Sequence, residues 1–329
     1  MSTWFGLLGW FAAVVGGILA MNWGAGRACR LLGFLRRIWG LPATAGGVFL
    51  GLATASPEIS INIASVALGW PDIGLGAALG SNVPALPLIF AIAYLSIRRN
   101  RRKADQPIDA PRVPVVASQA VPVQVLPYLL IVALLALLTV PPRWSGLQPI
   151  DGVILICAFL LYFAHALMHG RERDPCSVPR GEVLGAAAGL VVIAAGAVLA
   201  VTAASHIDEA LGISDLVGGL YIVGLLCALP ESFAAWRLSR EGKTTTAVSG
   251  AVADGIVSLT IAMLPLCILS TAIGNVPLYL LNLSFISFVL IVYMATSNRF
   301  RGQHLELGRV AVIGAAYGLY LFLSFRIVL

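Results

Sequence analysis

The chain has 329 residues, of which 59% are hydrophobic and only 11% charged, and its mean hydropathy is +0.93. Soluble domains carry about 25% charged residues, so the composition excludes an ordinary soluble protein. The net charge of +6 does not indicate nucleic-acid binding, because the basic residues lie in short gaps between apolar runs. The five cysteines are scattered and form no metal-binding or disulfide pattern.

Apolar runs of about 20 residues recur along the chain, and each is long enough to cross a hydrocarbon core of about 30 Å. The first run, Trp4–Met21, lacks a basic leading segment and a cleavage site, so we interpret it as a retained helix. The predicted fold is an all-α multi-pass protein of the plasma or inner membrane, surrounded by lipid and without an obligate protein partner. Its ten transmembrane helices are predicted at residues 4–26, 41–68, 73–97, 123–141, 149–169, 183–205, 216–238, 246–271, 276–297 and 307–328.

Basic residues alternate between the gaps that separate these spans. Nineteen of the 21 Lys and Arg residues fall in the odd-numbered gaps or at the span ends that border them, whereas the even-numbered gaps carry only Arg143. The sixth gap is acidic, with Asp208, Glu209 and Asp215. Because basic loops stay in the cytoplasm, we predict that both termini lie on the non-cytoplasmic side.

Two halves are predicted, at residues 1–169 and 183–329, joined by a short cytoplasmic linker at 170–182. The longest gap, about 98–122, is Pro-rich and charged, which predicts an extended cytoplasmic loop. No soluble domain fits between the spans.

One short segment recurs in the second half. Residues 51–58 read GLATASPE and residues 224–231 read GLLCALPE, so one offset along the chain maps Pro57 onto Pro230 and Glu58 onto Glu231. The same offset gives eight identities over forty positions. Since this offset is about half the chain, spans 1–5 would recur as spans 6–10. Five is odd, so the halves would cross the membrane in opposite directions, as in many secondary transporters.

The duplicated Pro-Glu pair predicts an ion site. Proline cannot donate to the carbonyl four residues earlier, so Pro57 loosens the carbonyls of residues 53–54, and Pro230 those of residues 226–227. These carbonyls need partners in a medium without water. A cation can be such a partner, and the neighbouring glutamates would offset the loss of its hydration. Carboxylate and carbonyl oxygens are the ligands that Ca²⁺ prefers.

At these residues the chain resembles the cation/calcium exchanger superfamily, to which the sodium/calcium exchangers belong. The family pattern is G-T-S-x-P-E on one helix and G-S-N-x-x-N/D on the next. The chain reads ATASPE at 53–58 and GSNVPA at 80–85, then LCALPE at 226–231 and ADGIVS at 253–258, so its second repeat is degenerate.

The resemblance implies a ten-helix fold with inverted halves and α-repeats at about 45–90 and 220–262. It also implies that Glu58 and Glu231 are the paired calcium-binding carboxylates. The other implied site positions are the backbone carbonyls of Thr54 and Cys227, the hydroxyls of Ser81 and Ser258, and the Asp254 carboxylate.

The chain departs from the family pattern at serines associated with sodium coordination, which are replaced by Ala55 and Ala228. Ala85 and Ser258 stand where the family has Asn or Asp. We therefore predict a secondary antiporter that moves Ca²⁺ or another divalent cation against Na⁺ or H⁺ by alternating access, with no cofactor besides the transported ions. Two alternatives stay open: a transporter of another ion or small solute on the same scaffold, and a family member that does not transport.

Two asparagines complete the candidate set. Asn62 follows Glu58 by one helical turn and could hydrogen-bond it, line the path or pack between helices. Asn82 belongs to the Gly-Ser-Asn segment and could cap the helix or support the site. An enzyme in the membrane would need a nucleophile paired with a base, such as Ser and His within the spans. The sequence offers no such pair, so we predict no enzymatic activity.

Overall fold

The structure is a computed structural model, and it describes residues 2–39, 43–103, 115–116, 124–141, 145–167, 179–241, 244–295, 297–298, 302–304 and 307–328. Most of these residues are helical. The helices are α1 (Ser2–Ile38), α2 (Ala43–Thr54), α3 (Ser56–Leu68), α4 (Pro71–Lys103), α5 (Leu126–Thr139), α6 (Pro149–Leu167), α7 (Arg180–Leu211), α8 (Asp215–Gly218), α9 (Leu225–Arg240), α10 (Thr244–Ser258), α11 (Leu264–Ile268), α12 (Val276–Ala295) and α13 (Leu307–Val328). A π-helical segment, Gly219–Gly224, joins α8 to α9, and a 3₁₀ turn, Ile261–Met263, precedes α11.

Three very short strands were not part of the predicted all-α fold. They are β1 (Val115–Val116), β2 (Ser297–Asn298) and β3 (Gly302–His304), and they form an antiparallel sheet in the order β1–β3–β2. The strand β1 lies within the predicted loop at 98–122, where its two β-branched valines favour an extended backbone. The rest of that loop beyond residue 103, and the predicted linker up to residue 178, lie outside the described residues.

Eight helical stretches of the described chain are long and apolar enough to cross a membrane. They are Phe5–Leu35, Pro71–Ile92, Pro149–Leu167, Arg180–Leu211, Asp215–Arg240, Ala247–Ile268, Val276–Ala295 and Leu307–Val328. Their outer faces are apolar; Leu161, for example, is 73% exposed and Val191 is 70% exposed. Soluble proteins do not leave so many large apolar side chains uncovered. The chain is therefore an integral, multi-pass membrane protein.

The predicted second and fourth spans are not among these eight stretches. The second is divided at Ala55 into α2 and α3, because Pro57 interrupts the hydrogen-bond ladder and starts a new helix. The fourth corresponds to α5, which has only 14 residues. The count of ten helices and the two inverted repeats therefore stay predictions.

Other boundaries also differ from those predicted. Helix α1 continues past the predicted end at residue 26 to Ile38, since the arginines that follow the apolar run are good helix formers. The predicted span 246–271 is interrupted after Ser258, and Thr260 leaves the helical conformation with φ −123° and ψ −81°.

Helices α1 and α7 pack antiparallel at closely spaced glycines. A Cβ placed on Gly17 would lie 2.6 Å from the Gly196 carbonyl oxygen, and one on Gly189 would lie 2.8 Å from the Gly24 carbonyl oxygen. Such close backbone approach is typical of small residues at helix interfaces in membranes. At one end, Arg30 forms an ion pair with Glu182 at 3.4 Å.

The glycines of the two repeated segments also lie at helix crossings. A Cβ on Gly51 of α2 would lie 2.7 Å from the carbonyl carbon of Ala253 on α10. A Cβ on Gly224 would lie 2.7 Å from the carbonyl carbon of Gly80 on α4. These crossings bring the Pro-Glu segments and α10 around one central space.

Candidate ion-binding site

A cavity of about 190 Å³ lies between α1, α2, α3, α9 and α10. Three carboxylates face it, those of Glu58, Glu231 and Asp254, and no Lys or Arg is among its described lining residues. The remaining lining residues are Ile18, Asn22, Ala25, Gly26, Cys29, Leu50, Thr54, Pro57, Cys227, Pro230 and Ala234. The structure thus brings together five of the predicted site residues: Thr54, Glu58, Cys227, Glu231 and Asp254.

Glu58 reaches the cavity because the helix breaks just before it. Ala55 separates α2 from α3 with φ −80° and ψ 1°, and Pro57 occupies the first turn of α3. Glu58 lies in the same turn, where the positive end of the helix dipole favours a carboxylate. Its side chain is only 4% exposed.

One of the carbonyls loosened by Pro57 has a partner within the chain. The Ser56 hydroxyl donates to the Ala53 carbonyl oxygen at 2.7 Å. Of the two carbonyls predicted to be available to an ion, at residues 53 and 54, only the Thr54 carbonyl remains a candidate. The Thr54 hydroxyl donates to the Leu50 carbonyl oxygen at 3.0 Å.

The second Pro-Glu segment is built differently. Pro230 lies inside the continuous helix α9, which follows the π-helical segment Gly219–Gly224. A π-helical segment widens the helix and is often found at functional sites. Two different local structures therefore bring Glu58 and Glu231 to the same cavity.

The three carboxylates are close enough for their charges to act on one another. Each has one buried oxygen that accepts no hydrogen bond within the described chain: Glu58 Oε2, Glu231 Oε1 and Asp254 Oδ1. Buried polar atoms normally have partners, and clustered buried negative charges are strongly unfavourable without compensation. These oxygens can accept protons or coordinate cations.

Two hydroxyls from neighbouring helices support the carboxylates. Ser81 of α4 contacts Glu58, and Thr54 of α2 contacts Asp254. Ser81 is 1% exposed and also donates to the Ala78 carbonyl oxygen at 3.3 Å. Ser258 is fully buried, and its hydroxyl has no hydrogen-bond partner within the described chain.

The two candidate asparagines lie beside the cavity rather than on its lining. Asn62 donates from Nδ2 to the Ala262 carbonyl oxygen, so it joins α3 to the 3₁₀ turn. Asn82 donates from Nδ2 to the Ala78 carbonyl oxygen at 2.7 Å and accepts a hydrogen bond from Tyr128.

Sequence reasoning missed two polar residues near the site. Asn22 of α1 lines the cavity, and the signal for it was an amide inside an apolar run. Tyr128 of α5 is fully buried behind Asn82, and its local sequence gave no signal. Within the described residues, no three His, Cys, Asp or Glu side chains are grouped closely enough to hold a metal ion by themselves.

The fold and the cavity define the class: a multi-pass helical membrane protein with acidic residues around an internal cavity. The chain belongs to the sodium/calcium exchanger protein family, whose pattern matches residues 9–168 and 182–326. Members of this family are transporters that exchange cations. The match confirms the resemblance found in the Pro-Glu segments.

Solved structures of the sodium–calcium exchanger NCX_Mj have a similar fold. One, soaked with 10 mM Na⁺ and no Ca²⁺, is 18% identical, with a TM-score of 0.60 over 97% of this chain and 98% of that chain. Another, soaked with 100 mM Na⁺ and 10 mM Sr²⁺, has a TM-score of 0.63 with the same identity and coverage. An uncharacterised membrane protein of Methanocaldococcus jannaschii is 25% identical over 224 residues, which are 66% of each chain.

Proposed function

We propose that the protein is a secondary antiporter that exchanges Ca²⁺, or another divalent cation, against Na⁺ or H⁺. The observation that carries this proposal is the meeting of the two Pro-Glu segments. Glu58 and Glu231, which lie in different halves of the chain, face one cavity, each with a buried oxygen that accepts no hydrogen bond within the described residues.

A cation would relieve the electrostatic cost of this arrangement. Intramembrane carboxylates are expensive, and they mark ion pathways and proton relays in transporters. Because no three acidic, Cys or His side chains of the described chain can hold a metal alone, the proposed ligand set also includes uncharged oxygens. Glu58 and Glu231 would coordinate the ion, Asp254 and Ser81 would complete or tune the site, and the carbonyls of Thr54 and Cys227 would fill the shell.

Reciprocal glycine contacts support the proposal of two inverted repeats. Gly51 meets Ala253, and Gly224 meets Gly80. The offset that maps Pro57 onto Pro230 also maps Gly51 onto Gly224 and Gly80 onto Ala253, so each contact is the counterpart of the other. Pairs of contacts that map onto each other in this way are expected of halves related by a two-fold axis.

The interface between α1 and α7 also contains a pair of reciprocal glycine contacts. Gly17 meets Gly196, and Gly24 meets Gly189. An offset one position shorter maps Gly17 onto Gly189 and Gly24 onto Gly196, so these two contacts also exchange. The reciprocity therefore extends beyond the Pro-Glu segments to the first helix of each proposed half.

We extend this proposal to the whole chain. The eight spanning stretches, the divided helix α2–α3 and the short helix α5 would make ten spans, with five in each of the halves 1–169 and 183–329. In this arrangement the charge alternation would place both termini on the non-cytoplasmic side. The α-repeats at 45–90 and 220–262 would form the ion-binding core.

Alternating access would come from movement of the outer helices against this core. Helix α1 lines the cavity through residues such as Ile18 and Asn22, and it packs against α7 through small residues. A shift of the pair α1–α7 would therefore open or cover the carboxylates.

Two alanines leave the coupling ion open between Na⁺ and H⁺. Ala55 and Ala228 are fully buried at the positions where the family resemblance implies serine hydroxyls for sodium. The three carboxylates remain, and these can bind protons as well as cations.

A flux assay with separately imposed gradients tests the proposed function. The purified chain is reconstituted into liposomes, and uptake of radiolabelled Ca²⁺ is measured under an outward Na⁺ gradient, a pH gradient, or neither. We expect one of the two gradients to drive uptake. Uptake of a monovalent ion or another small solute, but of no divalent cation, would favour the alternative transporter, and ion-dependent thermal stabilisation without any flux would favour a family member that does not transport.

A further inference from the structure

A tyrosine on α5 completes a hydrogen-bond chain directly behind the carboxylate cavity. Tyr128 is fully buried, and its hydroxyl donates to Asn82 Oδ1 at 2.7 Å. The Asn82 amide is oriented by the hydrogen bond from its Nδ2 to the Ala78 carbonyl oxygen. Since Asn82 Oδ1 can only accept, the tyrosine must donate, and the chain of bonds ties α5 to α4.

This chain of bonds meets α10 at Gly255. A Cβ at Gly255 would lie against the Tyr128 hydroxyl and 2.5 Å from Asn82 Oδ1. Gly255 directly follows Asp254, and the charges of Asp254 and Glu231 both reach the Tyr128 hydroxyl. The turn of α10 that carries Asp254 therefore rests on the Tyr128–Asn82 pair.

The two repeats differ at this point of contact. The offset that maps Glu58 onto Glu231 also maps Asn82 onto Gly255, so these two residues occupy equivalent positions of the two repeats. Even a methyl group at 255 would collide with the tyrosine and the asparagine, so a second asparagine cannot be accommodated beside Tyr128. The tyrosine occupies the space that the missing side chain leaves, and this explains why the second repeat has Gly where the first has Asn.

We propose that Tyr128 is a positioning residue of the cation site. Through Asn82 and Gly255 it sets how closely α10 approaches α4, and thereby where the Asp254 carboxylate lies relative to Glu58. Tyr128 is not among the described residues that line the cavity, so it acts through Asp254 rather than as a ligand. The inference rests on the proposed function, because it assigns a role within the same site.

A matched pair of variants tests this role. Tyr320 on α13 donates to Asn282 Oδ1 at 3.0 Å, and Asn282 Nδ2 donates to the Leu278 carbonyl oxygen at 2.7 Å, which is the same bonding pattern away from the cavity. In the reconstituted chain, we expect Tyr128→Phe to raise the half-saturating Ca²⁺ concentration about fivefold, as expected for one lost hydrogen bond, with little change in the maximal rate. Tyr320→Phe should leave the half-saturating concentration unchanged.

A double substitution tests the contact itself. Gly255→Ala should raise the half-saturating Ca²⁺ concentration more than Tyr128→Phe does, because the added methyl group pushes α10 away. Tyr128→Leu shortens the opposing side chain, so in the double variant it should restore part of the affinity lost through Gly255→Ala. Coupling of this kind is expected only between residues in contact.

The outcomes separate this inference from the proposed function. If the wild-type chain transports Ca²⁺ but Tyr128→Phe and Tyr320→Phe behave alike, or the effects at 128 and 255 simply add, the positioning role is wrong. If the wild-type chain shows no cation flux under any gradient, the proposed function itself is contradicted.

Discussion

At Asp254 the chain has a carboxylate where the family pattern has a serine hydroxyl. Asp254 replaces the hydroxyl of the first repeat, Ser81, with a carboxylate, and it is 4% exposed beside Thr54. Because it adds a charged ligand to the proposed site, Asp254→Asn should raise the half-saturating concentration of the transported cation about tenfold or more. Concentration-dependent uptake into proteoliposomes measures this.

A second buried aspartate provides the control for this prediction. Asp151 is 2% exposed, and it accepts a hydrogen bond from the Gln148 backbone N–H at 2.8 Å, at the start of α6. Asp151→Asn should lower thermal stability without changing cation affinity. Equal losses of affinity in the two variants would show that the effect of Asp254 is structural.

Asn62 should behave as a packing residue. Its amide bridges α3 and the 3₁₀ turn through Ala262, and it does not line the cavity. We predict that Asn62→Ala destabilises the protein by about 1–3 kcal/mol, since the Ala262 carbonyl loses its buried donor. Thermal unfolding in detergent measures the loss of stability. A change in cation affinity without loss of stability would contradict the packing role and indicate that Asn62 belongs to the ion site.

At the scale of elements, the glycines of α1 predict which face of this helix packs against α7 and which face contacts lipid. Gly17 touches the α7 backbone, whereas a Cβ on the adjacent Gly16 would have no neighbour within 4 Å. Gly17→Val should therefore separate α1 from α7 and cost about 1–3 kcal/mol of stability, whereas Gly16→Val should be nearly neutral. Thermal unfolding of the two variants checks this, and equal melting temperatures would contradict the packing.

Helix breaks were predictable only where proline causes them. Pro57, which was predicted to loosen the carbonyls before it, divides the second span, whereas Pro230 lies inside the continuous helix α9 after a π-helical segment. The interruption after Ser258 falls at the buried Thr260, whose hydroxyl donates to the Ile256 carbonyl oxygen at 2.6 Å, and no proline marks it in the local sequence. Helices α1 and α7 are longer than their predicted spans, because hydropathy locates the bilayer and not the end of the helix.

In the site, too, some residues could be predicted from the sequence and others could not. Thr54, Glu58, Cys227 and Glu231 could be predicted because the duplicated Pro-Glu segment carries them, and Asp254 because the family resemblance implies a ligand at its position. The structure brings all five to one cavity. Tyr128 could not be assigned, since its relation to Gly255 is a contact between helices far apart in sequence.

At the scale of the whole molecule, the charge alternation predicts a sidedness that labelling can measure. Ser214 and Gly181 are exposed at opposite ends of α7. In a chain without its native cysteines, Ser214→Cys should react with an impermeant thiol reagent added outside intact cells, and Gly181→Cys should react only after permeabilisation. The reverse pattern would invert the topology, and labelling of both from outside would contradict the prediction that α7 crosses the membrane.

The central claim is that Glu58 and Glu231 together hold the transported cation, and uptake of radiolabelled Ca²⁺ by reconstituted variants tests it most directly. Glu58→Gln and Glu231→Gln keep the shape of the side chain and remove its charge. Glu182→Gln, which removes only the surface ion pair with Arg30, is the control. We predict that uptake falls to the level of protein-free liposomes in the first two variants and stays near wild type in the third. Wild-type uptake in both Glu58→Gln and Glu231→Gln would contradict the account.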